Sequence, residues 1–334
     1  MPVFLNLTEF NQSDRCEHFS CLERSVSSAV YILLYVCSAA VVLLTVCGNL
    51  LVIISVYHFK QLHTPTNILI LSLSVSDFLV GTLVMPPMLI WRIESCWFFD
   101  MHYCIIFLVT SYFLTSLSIY NIALIAVERY LALSNPFLYT DTISSTTMCI
   151  VVCSNWFVCL VYNTAFYYFN GSFTHFVLCP GDCYLFLHGI LFAIDLVITF
   201  ICPCSVIIIL YTLVFVIAKK HATAIRQLNN HTQAKTQKIT SHLMKSERKA
   251  AKVLGILVFV FLGCLLPYFI YSLLGDIIEI QEETLQNLAV LVYLNSTVNP
   301  VIYALFHRWF RKCIKFIITL QIFQKDSDLM NVLS

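Results

Sequence analysis

Residues 104–134 read CIIFLVTSYFLTSLSIYNIALIAVERYLALS, and this stretch decides the fold. Up to Arg129 it is long enough, at about 1.5 Å per residue, to cross a hydrocarbon core of about 30 Å as an α-helix. Serines, threonines and Asn121 interrupt its apolar residues, and polar groups in a membrane seek partners on neighbouring helices. The stretch therefore predicts a membrane-spanning helix that faces other helices.

The whole chain has the composition of a membrane protein, with 59% hydrophobic and 11% charged residues and a mean hydropathy of +0.84. Soluble domains carry about 25% charged residues, so a soluble fold is excluded. Each predicted span exceeds the length of about 20 residues that a crossing requires: the spans are 27–56, 66–92, 101–134, 144–168, 185–218, 249–275 and 284–305. The predicted fold is an all-α seven-transmembrane helix bundle over residues 27–305.

Charge sets the expected orientation in the plasma membrane. Residues 219–252 hold nine of the 19 lysines and arginines, and such loops lie in the cytoplasm. Seven spans then put residues 1–26 outside, where the sequons at Asn6 and Asn11 predict N-glycosylation. This terminus lacks the pattern of a signal peptide, so we expect the first span to direct membrane insertion.

After the seventh span, aromatic and aliphatic residues recur at helical spacing between basic ones. This pattern predicts an amphipathic helix over 306–320 that lies in the inner membrane interface and contacts lipid, followed by a cytoplasmic tail over 321–334. Cys313 within it is either palmitoylated or unmodified. Six of the fifteen cysteines (Cys16, Cys21, Cys96, Cys104, Cys179 and Cys183) fall on the outer side, where disulfides persist.

One set of motifs follows the spans in order. It comprises Gly48-Asn49, LSVSD ending at Asp77, Glu128-Arg129-Tyr130, Trp156, Pro203 with Tyr211, Phe261 with Pro267, and NPVIY from Asn299 to Tyr303. In this order the motifs resemble the rhodopsin-like (class A) G-protein-coupled receptors over about residues 27–320. Within that family, NSTVNPVIY at 295–303 and Val84-Met85-Pro86 are similar to the trace amine-associated receptors.

The resemblance implies a receptor for amines that couples to a heterotrimeric G protein, of the stimulatory or olfactory type if expression is sensory. It implies the disulfides Cys104–Cys183 and Cys21–Cys179, a pairing that the spacing of the cysteines alone does not determine. It also implies that Arg129 pairs with Glu128 and Glu247 in the inactive state. Activation would swing the sixth span on Pro267 and expose Arg129; the expected coupling and switch residues are Glu128, Arg129, Tyr130, Tyr211, Glu247, Asn299, Pro300 and Tyr303.

Asp77 is an acid deep in the second span, a placement that costs about 2.5–3.5 kcal/mol, so we expect it to have partners. The candidates are Ser118, Asn295, Ser296 and Asn299. The resemblance implies an allosteric sodium ion on this cluster and no other cofactor. The alternative is a hydrogen-bonded water network without an ion.

The expected ligand pocket departs from the usual amine-receptor pattern. Where those receptors have an acid on the third span, eighteen residues before the arginine, this chain has Ser111, and a hydroxyl cannot neutralise an ammonium. The fifth span instead carries Asp195, as in the fish branch of the olfactory trace amine-associated receptors. We therefore predict that Asp195 binds the ligand's ammonium group. The alternative is a structural acid bonded to neighbours such as Ser116.

Helical facing adds further pocket candidates, which are Tyr112, Thr115, Tyr268, Phe269, Ser272 and Tyr293. Aromatic faces attract cations at about 0.5–2 kcal/mol each, although the same rings also suit ordinary core packing. Leu265, two residues before Pro267 in the sixth span, occupies the position where many relatives have tryptophan.

Other classes of function fit less well. A small-solute transporter would be expected to show internal repeats or broken midplane helices, and neither is evident. HExxH and GxSxG motifs are absent, so no enzyme is expected, and no nucleic-acid partner is expected. A non-olfactory biogenic amine receptor is the alternative within the family.

Overall fold

The computed structural model describes residues 27–174, 183, 189–229, 235–274, 282–324 and 327–333, without the side chains of 172–174, 189, 221–222, 224–229, 235–252 and 282. Among these residues all regular structure is helical apart from one isolated bridge residue. The seven helices long and apolar enough to span a membrane are Ser28–His58, Pro65–Glu94, Met101–Ser134, Ser145–Gly171, Ile190–Lys220, Val253–Leu273 and Glu283–Phe306. They are called spans one to seven below, and they confirm the predicted seven-helix bundle.

Several spans belong to longer or composite helices. Span two consists of Pro65–Leu79, a π-helical turn at Val80–Val84, and Met85–Glu94. Span five consists of Gly189–Asp195, a π-helical turn at Leu196–Ile201, and Cys202–Asn229. Spans four, six and seven lie within Ser145–Thr174, Lys235–Leu273 and Glu282–Phe306, and shorter helices cover Pro136–Thr142 and Arg308–Ile318. Single 3₁₀ turns cover Lys60–Leu62, Gln321–Phe323 and Ser327–Leu329.

Span three lies at the centre of the bundle, in contact with spans two, four and five. Its polar residues are buried, as the sequence predicted. Asn121 accepts a hydrogen bond of 2.9 Å from Ser72 in span two, and Ser72 accepts one of 2.9 Å from the Trp156 indole in span four. These bonds join three helices in a region without water, where an unpaired polar group is costly.

Spans one and seven meet at a small residue. The Asn49 amide donates to the backbone oxygen of Ser296 at 3.0 Å, and a Cβ placed on Gly48 would lie 2.8 Å from Cγ of Pro300. This approach therefore requires glycine.

We expect Gly48→Val to destabilise the receptor by about 1–3 kcal/mol, the usual cost of overpacking a core. Thermal unfolding of the detergent-solubilised protein measures this. Gly263→Val is the matched control, because no atom lies within 4 Å of a Cβ at Gly263. Equal melting temperatures for the two variants would contradict the close contact.

One end of the bundle, called the Cys104 end, carries a disulfide between Cys104 and Cys183 with a Cα–Cα distance of 5.6 Å. This confirms the predicted disulfide between Cys104 and Cys183. Cys96 is also disulfide-bonded, and the other described cysteines are either free or in the Cys104–Cys183 bond. The predicted Cys21–Cys179 bond and the predicted glycosylation sites Asn6 and Asn11 lie outside the described residues.

At the opposite end, the Arg129 end, the helix Arg308–Ile318 follows span seven and buries Trp309, Phe310 and Cys313. Phe316 contacts Phe59 at the end of span one, with ring centroids 6.0 Å apart. Burial raises the pKa of the Cys313 thiol to about 12. The thiolate is the reactive form of cysteine, so this thiol reacts slowly where it is buried; palmitoylation of Cys313 stays a prediction.

Candidate functional site

Asp195 is the last residue of a helical segment, immediately before the π-helical turn of span five. Turns of this kind often occur at functional sites. Its side chain is 2% exposed and accepts hydrogen bonds from Tyr112 of span three at 2.8 Å and Tyr162 of span four at 2.9 Å. Thr199, one turn further on, lies 3.4 Å from one carboxylate oxygen. Three spans therefore converge on this carboxylate.

Within the part of the chain that the structure describes, no lysine, arginine or histidine forms an ion pair with Asp195. Hydroxyl donors stabilise a carboxylate without neutralising it. A carboxylate has about four lone-pair sites, and Tyr112 and Tyr162 occupy one on each oxygen. The group therefore keeps the capacity to accept from a further N–H donor, and a cationic donor would stabilise its ionised form.

A cavity borders the carboxylate between spans three, five and six. Its lining residues are Tyr112, Thr115, Ser116, Ile119, Phe192, Asp195, Leu196, Thr199, Tyr268, Phe269 and Ser272. The volume open to the centres of water molecules is about 20 Å³, and one water needs about 10–15 Å³ on this measure. The site is therefore a small, mixed apolar and hydroxyl-bearing pocket with one acid.

Aromatic packing fixes the walls of the cavity. Phe269 of span six stacks on Phe200 of span five with ring centroids 3.9 Å apart, and Tyr112 stacks on Phe166 of span four at 5.8 Å. The hydroxyl oxygens of Tyr268 and Ser272 are buried and complete no hydrogen bond with the residues that the structure describes. Buried polar atoms of this kind are costly unless a ligand or water satisfies them.

Six of the eight predicted pocket residues line this cavity: Asp195, Tyr112, Thr115, Tyr268, Phe269 and Ser272. Ser111 does not, since its buried hydroxyl donates to the backbone oxygen of Leu108 at 2.9 Å. Tyr293 also lies outside the lining and approaches the hydroxyls of Ser111 and Thr115 without completing a hydrogen bond. Ser111 and Tyr293 therefore form a polar contact behind the cavity wall.

Sequence reasoning missed Tyr162 and Thr199 as partners of Asp195, and Phe192 in the cavity wall. It had named Ser116 as a possible partner, but the Ser116 hydroxyl donates to the backbone oxygen of Tyr112 at 3.0 Å. A signal for Thr199 was present, because it lies four residues after Asp195 and therefore on the same helical face. Tyr162 gave no such signal.

The Asp77 cluster forms around spans two and seven. Asp77 is fully buried and accepts hydrogen bonds from Ser296 and Asn299, each at 2.7 Å. Ser118 lies 3.4 Å from the Ser76 hydroxyl and is not bonded to Asp77. The amide oxygens of Asn295 and Asn299 are buried and have no hydrogen-bond partner in the described part of the chain.

At the Arg129 end, the guanidinium of Arg129 is buried against Glu128, with Nε donating to a carboxylate oxygen at 2.6 Å. Arg129 also donates to the Thr66 hydroxyl of span two, and Thr66 donates to Glu128 at 2.9 Å. Tyr139, in the helix Pro136–Thr142, donates to the same carboxylate, and burial raises the pKa of its phenol. This network encloses the arginine.

The other expected switch residues surround the network. Tyr303 is fully buried, with its ring against Phe310, and Tyr130 packs beside Leu133 and Val214. Among the described side chains, the buried hydroxyls of Tyr211 and Tyr303 have no hydrogen-bond partner. Pro300 and Pro267 lie inside the helices of spans seven and six, and Leu265 is buried in the core. The side chain of Glu247 lies outside the described residues, so the expected pair with Arg129 is not described.

The chain is similar to known proteins over almost its whole length. Residues 48–303 match the family described as "7 transmembrane receptor (rhodopsin family)". It is 36% identical to trace amine-associated receptor 13c of Danio rerio, covering 98% of each chain. It is also 36% identical to trace amine-associated receptor 1 of Macaca mulatta, covering 93% of this chain and 95% of that protein. Trace amine-associated receptor 6 of Rattus norvegicus is 36% identical, with 94% of this chain and 93% of that protein covered.

Proposed function

Because the chain belongs to the rhodopsin family of G-protein-coupled receptors, and within it to the trace amine-associated type, we propose that it binds a small amine through Asp195. It is a multi-pass plasma membrane receptor for a small molecule, and not an enzyme.

The observation that carries the proposal is a buried carboxylate beside a cavity with no ion-pair partner among the described residues. An intramembrane acid is expensive and is kept where it serves a site. An ammonium group would supply the missing positive charge and N–H donors. The rings of Tyr268 and Phe269, at right angles to each other, would contact its alkyl part.

The size of the cavity favours a small monoamine. About 20 Å³ open to water centres holds one or two waters, so a bulky ligand would have to move the aromatic walls. A diamine would leave its second charge without a described acid in this cavity, which is prohibitive for a buried ammonium.

Orientation and coupling follow from charge and from the family. We infer that the N-terminus is extracellular and that the Arg129 end is cytoplasmic, since the basic segment 219–252 is attached to that end. The receptor then presents Arg129 to a heterotrimeric G protein. A stimulatory or olfactory G protein and a sensory role are the proposed specific forms, with a non-olfactory biogenic amine receptor as the alternative.

A sodium ion is proposed for the Asp77 cluster. The fit rests on Asn299, whose amide nitrogen donates to the buried Asp77 carboxylate at 2.7 Å and whose amide oxygen completes no hydrogen bond among the described residues, because sodium binds oxygen ligands. Asp77 and the Asn299 amide oxygen would hold the ion. Its charge would stabilise the ionised acid and oppose rearrangement of spans two and seven.

The test is a panel of aliphatic and aromatic amines of increasing size, with ligand-stimulated nucleotide exchange on several heterotrimeric G proteins as the readout. The proposal expects activation by small monoamines and none by the corresponding neutral alcohols. Equal activation by an amine and its alcohol would show that the positive charge of the ligand is not needed for activation. A transporter would show uptake of the amine without nucleotide exchange.

We expect Phe192→Ala to shift the receptor's preference toward larger amines, since Phe192 lines the cavity. Removing its ring makes room for about one more carbon branch, and pocket contacts of that size are worth about 1–3 kcal/mol. The potency of larger amines relative to the smallest active one should rise about tenfold. Phe169→Ala, at an exposed position of span four, is the control. If the order of potency of the amines is unchanged in both variants, the ligand does not bind in this cavity.

A further inference from the structure

The tail returns to the first loop at the Arg129 end. Residues 327–333 lie against residues 58–62, which include the last residue of span one and the 3₁₀ turn Lys60–Leu62. Such a return is not required by the bundle, whose last helix ends at Ile318. The tail therefore makes a tertiary contact of its own, which we call the clasp (residues 327–333).

Three polar contacts hold the clasp. The Lys60 ammonium lies 2.6 Å from a carboxylate oxygen of Asp328, and it holds the pKa of that carboxyl below its usual range. The backbone N–H of Val332 donates to the Gln61 side chain at 3.2 Å. Ser327 donates to the backbone oxygen of Ile322 at 2.6 Å, so His58, whose Nε2 lies 2.9 Å away, donates to Ser327.

Apolar burial adds to these contacts. Val332 is 0% exposed, whereas Leu329, three residues earlier, is 60% exposed. Surface ion pairs contribute only about 0–1 kcal/mol, and Lys60 is largely exposed. Burial of a valine contributes about 1.5–3 kcal/mol, so Val332 is expected to contribute most to docking.

The loop under the clasp leads directly to the Arg129 network. The backbone oxygen of Leu62 accepts from the Asn67 amide at 3.0 Å, and Thr64 caps span two by accepting from the backbone of Asn67. Thr66, within this first turn, bonds both Arg129 and Glu128. A tail that fixes the loop thus also fixes the position of Thr66.

We propose that the clasp is an autoinhibitory contact: docked on residues 58–62, it stabilises the arrangement in which Thr66 and Glu128 enclose Arg129. Release of the clasp frees the loop and the first turn of span two, and the equilibrium shifts toward the state that exposes Arg129. A partner or modification that binds only the released tail therefore raises signalling.

The test compares Val332→Asp with Leu329→Asp in the full-length receptor at matched surface levels and without ligand. The first places a charge in a buried apolar position and should expel the tail, whereas the second adds the same charge at an exposed position. Two quantities are measured: the rate of tryptic cleavage after Lys325, which reports docking, and basal nucleotide exchange on the G protein, which reports the active state.

We expect Val332→Asp to accelerate cleavage and to raise basal exchange about two- to fivefold, which corresponds to about 0.4–1 kcal/mol. Leu329→Asp should change neither. Faster cleavage with unchanged exchange would mean that the tail docks without inhibiting, and equal cleavage in both variants would mean that it does not dock; either result overturns the proposal.

A charge exchange gives a second, independent arm. Asp328→Lys should loosen the clasp and raise basal exchange, and adding Lys60→Asp should restore low basal exchange; this arm is read by exchange alone, because the new lysine is itself a tryptic site. If the double variant does not recover low basal exchange, the Lys60–Asp328 ion pair does not hold the tail on residues 58–62. Neither arm uses an amine, so both can fail while Asp195 binds the ligand, and both can succeed while it does not.

Discussion

Asp195→Asn, displayed at the surface at the wild-type level, is expected to lower the potency of an amine agonist at least thirtyfold. The asparagine keeps the shape of the side chain but removes its charge, so a bound ammonium would be buried without a partner. Breaking a desolvated charge pair costs about 2–5 kcal/mol, and 2 kcal/mol is already about thirtyfold in affinity. Ligand-stimulated nucleotide exchange over a full concentration range measures this.

Thr199→Val is the matched control for that experiment. It removes a hydroxyl 3.4 Å from the Asp195 carboxylate but leaves the charge and the hydrogen bonds from Tyr112 and Tyr162 in place. The Thr199 hydroxyl donates mainly to the backbone oxygen of Asp195 at 2.8 Å, so the potency of the agonist should stay within about tenfold of the wild type, which corresponds to about 1.4 kcal/mol. If Asp195→Asn keeps the wild-type potency, the carboxylate is structural and the ligand need not be an amine.

The acid's position also sets the direction of the ligand. An ammonium held by Asp195 would leave the apolar part of the amine to the rest of the lining, which includes Ile119 and Phe269. Ser111 is buried and, like Tyr293, does not line the cavity, so contact of the apolar part with either residue would require the cavity to extend. The described cavity supports a shorter ligand.

Much of the fold was predictable because the membrane imposes a simple rule on the sequence. A crossing helix must satisfy its backbone internally and must be about 20 apolar residues long, so seven hydrophobic stretches gave seven helices. The site was predictable to the extent that charge is rare in such stretches. Asp77 and Asp195 stand out for that reason alone.

The partners of these acids were less predictable, because they depend on the rotation of one helix against another. Tyr162 and Asp195 are 33 residues apart and meet only when spans four and five take particular rotations. The same holds for Thr66, which is 62 residues from Glu128. The clasp has no periodic pattern, since its contacts use one buried valine, one ion pair and backbone groups.

Substitution of Glu128, the acid bonded to Arg129, is the second change for which we expect a large effect. Arg129 is enclosed by Glu128 and Thr66, and charge-assisted hydrogen bonds of this kind are worth about 1.5–3 kcal/mol. Glu128→Gln removes the negative charge and leaves a buried guanidinium that is stabilised only by neutral oxygens. The enclosed state therefore loses free energy relative to a state in which Arg129 reaches solvent or a G protein.

We expect Glu128→Gln to raise basal nucleotide exchange about tenfold, which corresponds to about 1.4 kcal/mol of the equilibrium between the two states. Tyr139→Phe, which removes one donor to the same carboxylate, should change basal exchange less than Glu128→Gln does, because Glu128 keeps its charge and its bonds to Arg129 and Thr66. Arg129→Ala should abolish agonist-stimulated exchange, because the group that the enclosed state protects is then missing. Unchanged basal exchange in Glu128→Gln, at equal surface level and with normal agonist response, would show that Glu128 does not restrain Arg129.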